Sequence, residues 1–128
     1  MKINIVLAVP LAFASACSSS VDVCPAVVKP AVVVEVRDAS TGLPIAEGAS
    51  GAVREGSYTD SLKPYSGISA NQSTLLSLQA ALGRPGLYTL TVEKPGYASF
   101  TATGVQATAG ACGVQTATVK ANLIKAGP

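Results

Sequence analysis

Gly86-Leu87-Tyr88-Thr89-Leu90-Thr91-Val92-Glu93 alternates along its whole length. Tyr88, Leu90 and Val92 fall on one side, and Thr89, Thr91 and Glu93 on the other. A period of two belongs to a strand with one face on a core and one in solvent. Gly86 opens the run, and Lys94-Pro95-Gly96-Tyr97 supplies the turn that closes it. Val32-Val33-Val34-Glu35-Val36-Arg37 repeats the pattern upstream, with Val at every even position and Glu35 and Arg37 at odd ones. It ends in Asp38-Ala39-Ser40-Thr41-Gly42-Leu43-Pro44, where Asp and Ser can bond their own backbone, Gly42 permits positive φ and Pro44 cannot donate to a ladder.

The other segments follow from these two. Tyr97 to Val105 and Val114 to Ile124 are rich in Thr, Val and Ala, carry no helical stripe and are expected to be strands joined through Ala107-Thr108-Ala109-Gly110-Ala111. Ser50 to Tyr58 offers one or two short strands around Gly51 and Gly56, and Pro64 to Asn71 reads as a loop. Ser73 to Leu82 has helix-forming Leu, Gln and Ala and a capping Ser73. However, Leu76, Leu78, Ala80 and Leu82 alternate, and Gly83-Arg84-Pro85-Gly86 can turn tightly into the next strand, so strand is the reading adopted. Short strands with turns every roughly 8–12 residues, and no helix to serve a parallel crossover, predict an all-β sandwich.

The amino terminus carries an address. Lys2 precedes an apolar run from Ile3 to Phe13, and Ala14-Ser15-Ala16 leads into Cys17. Crossing a bilayer takes roughly 20 apolar residues, which this run, interrupted by Asn4 and Pro10, does not supply. It reads as an export leader of residues 1–16. Ala14 to Cys17 resembles a bacterial lipobox, although Ala14 stands where Leu is usual, and Ala14-Ser15-Ala16 also suits the general signal peptidase. The resemblance implies that Cys17 is acylated and becomes the first mature residue, anchoring the chain to a bilayer through a tether of residues 17–30. Ser18 and Ser19 stand where Asp would favour inner-membrane retention, which points to the outer membrane in a cell with two.

The chain has three cysteines. Giving Cys17 to a thioether leaves Cys24 and Cys112, and in an oxidising exported setting a structural disulfide between them is expected. A redox or zinc role is disfavoured by the absence of a Cys-x-x-Cys and of any His.

Val34-Glu35-Val36-Arg37-Asp38-Ala39-Ser40-Thr41-Gly42-Leu43-Pro44-Ile45, then Tyr58-Thr59-Asp60, then Gly86 to Val92, then Pro95-Gly96-Tyr97 together resemble the carboxypeptidase regulatory-like domain of the transthyretin-like group. The resemblance spans about Ala31 to Leu123, within a body of residues 31–128. It implies a seven-stranded Greek-key β-sandwich of prealbumin type, and an accessory rather than a catalyst. The related hydroxyisourate hydrolases use His residues and a C-terminal Tyr-Arg-Gly-Ser. This chain has no His and ends Leu123-Ile124-Lys125-Ala126-Gly127-Pro128, so that chemistry does not carry over. The Gly-x-Tyr-x-Leu pattern also resembles collagen-adhesin B-type repeats. Their Lys to Asn isopeptide would fall on Lys29 and Asn122, but the assisting Glu is replaced by Val92.

No catalytic residue, metal site or cofactor is assigned. Ser is plentiful but lacks a His, and no Ser-x-x-Lys occurs. Asp22, Glu35, Asp38, Glu47, Glu55, Asp60 and Glu93 are dispersed rather than clustered for a hard cation. The formal net charge is +2, without a basic stripe, which argues against nucleic acid. The function expected is that of an envelope lipoprotein whose sandwich is a structural or protein-interaction module, its partner an unidentified envelope protein. The alternative is a carbohydrate- or peptidoglycan-binding module. Without Trp, its aromatic platform would fall to Tyr58, Tyr65 and Tyr97.

Overall fold

A computed structural model describes residues 23–65 and 77–127. Nine strands are present among them: β1 Pro30–Asp38, β2 Ser50–Glu55, β3 Tyr58–Ser61, β4 Lys63–Pro64, β5 Ser77–Leu82, β6 Gly86–Glu93, β7 Phe100–Gly110, β8 Gly113–Gln115 and β9 Ala117–Leu123. No helix occurs among the described residues, and the chain is all-β. One sheet has the order β4-β5-β1-β9 and the other β3-β2-β6-β7-β8.

The alternating segments become the core strands. Tyr88, Leu90 and Val92 of β6 are buried, as are Val32, Val34 and Val36 of β1. They meet Val53, Leu78, Val105, Val114, Ala121 and Leu123 in a single apolar cluster between the sheets. β1 is an inner strand of its sheet, antiparallel to β5 and parallel to β9, with Val32 opposite Ala117 and Asp38 opposite Leu123. Ser77 to Leu82 is strand, as the alternation predicts; Ser73 to Leu76 lie outside the described residues.

Three expectations change. The stretch Ala107 to Ala111 is not a connection: β7 continues to Gly110, and Thr108 and Ala109 pair with Gln115 and Val114. Its inward alternation persists through buried Val105 and Ala107, but Ala and Thr are too small to make it visible in the sequence. Lys63 and Pro64, at the border of an expected loop, form a two-residue ladder with β5.

Among the described residues the strands number nine rather than seven, because the chain twice changes sheets within one extended segment. At Leu62 it passes from β3 to β4, its N–H donating to Gly51 O at 2.9 Å. At Thr116 it passes from β8 to β9, with the Thr116 hydroxyl donating to Pro30 O at 2.7 Å. The outermost strands of one sheet thus run on into those of the other.

Candidate functional site

The strand directions give the sandwich two unlike ends. At the first lie the start of β1, the β2–β3 turn, the β5–β6 turn and the β7–β8 turn. The second gathers the β1–β2 connection, the β6–β7 loop and the C-terminal segment.

Cys24 and Cys112 are disulfide-bonded at the first end, with an S–S distance of 2.12 Å and Cα atoms 5.0 Å apart. Cys112 sits in the β7–β8 turn, where Gly113 takes a φ of +103°, so the chain reverses and presents the sulfur outward. Cys24 belongs to an exposed segment, residues 23–29, that runs up to β1. Two further bonds hold the junction: Gly83 N–H donates to Lys29 O at 2.8 Å, and Thr116 to Pro30 O. Beside it Val27, Val28, Lys29, Pro30, Tyr65, Gln79 and Leu82 line a shallow recess of about 340 Å³. Cys17, the proposed acyl acceptor, lies outside the described residues.

The second end is organised by Asp38, whose side chain is buried. Its carboxylate accepts from Ser40 N–H at 2.8 Å, the Ser40 hydroxyl at 2.6 Å, Thr41 N–H at 3.1 Å and the Tyr97 hydroxyl at 2.7 Å. Lys125 Nζ is 3.9 Å away. The Ser40 hydroxyl, followed by that of Tyr97, holds the Asp38 carboxyl far below the usual carboxylate range, and the same contact pushes the Tyr97 phenol up. Every partner is supplied by the chain itself, which makes Asp38 a latch tying β1, the β6–β7 loop and the C-terminal segment together.

A group whose folded pKa is depressed contributes stability above its unfolded value and loses it as pH falls toward the folded one. Acidification below about pH 4 is therefore expected to lower the urea midpoint of the wild type. Glu55 acts in the same direction, its carboxyl held low first by Leu87 N–H and then by Arg84. The diagnostic measurement is a comparison: Asp38→Asn starts less stable at neutral pH and shows a flatter decline into acid. Parallel curves for the two proteins would remove Asp38 from this role.

The three nominated tyrosines do not share a platform. Tyr97 is at the second end, bonded to Asp38. Tyr65 borders the recess near the N-terminal segment. Tyr58 has one ring face covered by Arg84, whose guanidinium carbon is 3.7 Å from the ring centroid. Arg84 also donates to Glu55 Oε1 at 3.0 Å and to the Tyr88 hydroxyl at 3.1 Å, and the Tyr88 hydroxyl donates back to Arg84 O at 2.5 Å. This polar cluster is not visible in the sequence, because Glu55 at the end of β2 and Arg84 in the β5–β6 turn are isolated charges far apart in the chain; only the ladder β2-β6 brings them together.

Among the described residues no three His, Cys, Asp or Glu side chains gather as a metal site would require. Lys29 and Asn122 are far apart: Asn122 pairs with Arg37 in the parallel β1–β9 ladder, whereas Lys29 precedes that strand's first residue. At ~3.3 Å per residue the two lie about 26 Å apart along the sheet, out of reach of an isopeptide bond. No family model and no curated protein matches this sequence.

Proposed function

We propose that the protein is an envelope lipoprotein, acylated at Cys17. Its sandwich, of prealbumin-type Greek-key plan, serves as a non-catalytic structural or protein-interaction module. The observation that supports this most is the treatment of the N-terminal segment. It leaves the body at one end, and a covalent bond from Cys24 to Cys112 fastens it there. Such a fastening is mechanically sensible where the chain just upstream bears a load. Seven residue steps separate Cys17 from Cys24, so the body is held within about 25 Å of whatever Cys17 is attached to.

The anchoring chemistry fits the residue set. A thioether on Cys17 leaves no unpaired exported thiol, and several acyl chains at ~0.8 kcal/mol per buried CH₂ hold a protein far more firmly than a single chain.

Metabolic labelling with palmitate tests the reading. Wild type and the Cys24→Ser/Cys112→Ser double variant are expected to incorporate label, and Cys17→Ser to lose it entirely and appear in the soluble fraction. Incorporation by Cys17→Ser, or none by wild type, overturns the assignment.

A further inference from the structure

We infer that the tethered end of the sandwich is itself a lipid-binding face, seated on the surface of an anionic bilayer. The inference rests on the anchoring reading above and adds an orientation to it. The exposed large hydrophobic residues are unevenly placed. Val23 is 88 % exposed, Val27 68 %, Val28 66 % and Leu82 57 %, and all four lie at the end where the N-terminal segment departs. Leu87, the second residue of β6, is also exposed at this end. Among the described residues the second end shows Leu43 and Ile124.

Val27, Val28 and Leu82 are contiguous, sharing one recess with Lys29 and Pro30. Gly83 stands against Val28 so closely that a Cβ there would lie 3.0 Å from Val28 Cγ1, which fixes the valine beside the β5–β6 turn. The patch is therefore part of the folded body and not merely a property of a loose tail.

Charge agrees with this placement. Lys29 lies within the patch and is exposed. The acids beside it are both engaged: Glu55 is paired with Arg84 at 3.0 Å, and Asp60 accepts from Ala81 N–H at 2.8 Å with Lys63 Nζ 3.8 Å away. The second end is balanced, with Asp38, Glu47 and Glu93 beside Arg37, Lys94 and Lys125. A basic residue among exposed valines and leucines suits the boundary between anionic headgroups and acyl chains, where apolar burial and attraction to the surface add.

The tether makes the encounter unavoidable. An anchored Cys17 keeps Val23 within about 20 Å of the surface, and the bond from Cys24 to Cys112 prevents the body from swinging away from its own N-terminal segment. A short leash converts weak contacts into an intramolecular equilibrium with a high effective concentration.

The chain has no tryptophan, so a single introduced one reports its own surroundings. Leu82→Trp, Val28→Trp and, as the remote control, Leu43→Trp are each made in the full-length protein. Each is purified after acylation and reconstituted in phosphatidylcholine vesicles containing about a quarter phosphatidylglycerol, with and without brominated lipid. Both reporters at the tethered end are expected to shift to the blue on reconstitution and to be quenched by brominated lipid roughly threefold or more over Leu43→Trp. Equal quenching at the two ends, or water-like emission from both reporters, overturns the docking face. A blue shift without quenching also overturns it and assigns the patch to a second copy of the chain. Intact mass on the same samples separates the two readings. An acylated protein whose reporters stay in water loses the docking face alone, whereas a product with no acyl mass overturns the anchor and the docking face with it.

Discussion

Gly51→Ala is expected to destabilise the sandwich by about 3 kcal/mol or more, at the upper end of what overpacking costs. Gly51 lies in β2 opposite Val92 of β6, and its carbonyl accepts the N–H of Leu62, the residue at which the chain changes sheets. A Cβ at this position would stand 2.0 Å from the carbonyl oxygen of Thr91 and 3.0 Å from Leu62 Cδ1. The first contact is with backbone, and rotating a side chain cannot relieve it. Either β2 parts from β6, which carries buried Tyr88, Leu90 and Val92, or Leu62 is displaced and β3 and β4 lose their junction. Gly42→Ala provides the contrast. Gly42 has a φ of +72° but open space around its Cβ position, so its replacement costs only the left-handed backbone penalty of about 1 kcal/mol. Urea unfolding of both variants checks the ranking. A Gly51→Ala midpoint equal to wild type, or less affected than Gly42→Ala, would show that the β2–β6 contact is not as close as described.

This glycine also marks the boundary of what the sequence discloses. The period-two run of β6 is legible because its inward residues are large and its outward ones mostly polar, and burial alternates accordingly, whereas in β1 burial alternates only from Val34 on, Pro30 to Val34 all being buried. β7 hides its second half because Ala107 and Ala109 look alike in sequence although only Ala107 is buried. The two changes of sheet, at Leu62 and Thr116, leave no local trace either: an extended residue reads the same whether its neighbour belongs to one ladder or to the next. The Cys24–Cys112 bond follows from counting thiols, and the Asp38 turn from its own Asp, Ser, Thr and Gly. The bonds that complete the Asp38 latch come from Tyr97 and Lys125, both distant in the chain. Arg84, Glu55, Tyr58 and Tyr88 likewise meet only through strand order. Local grammar thus discloses strands and turns, whereas the polar clusters depend on register, which a single sequence does not fix.

Removing the disulfide is the other change expected to act strongly, on stability and on orientation at once. Cys24 and Cys112 are separated by 88 positions. On the chain-entropy account, a loop of this size restricts the unfolded chain by about 4.5 kcal/mol. Part of that is returned in the native state: residues 23–29 are exposed, and once released they regain freedom that the intact bond denies them. The net loss expected for Cys24→Ser/Cys112→Ser is therefore about 2–4 kcal/mol, with the core of β1, β6 and β9 unchanged. The urea m-value should rise as well, since an uncrosslinked unfolded chain exposes more surface. Urea unfolding in a Cys17→Ser background, which avoids acylation and leaves the bond intact, measures both quantities. An unchanged midpoint after reductant, with both thiols shown to be free, would contradict the assignment. The second consequence is geometric. With the bond gone, the tether runs free from Cys17 to Pro30 and spans up to about 45 Å instead of 25 Å. The effective concentration of the tethered end at the bilayer then falls, so in the acylated double variant the Leu82→Trp reporter should lose quenching while palmitate incorporation persists. Loss of quenching together with loss of label would instead place the disulfide upstream of acylation, as a requirement for processing rather than for orientation.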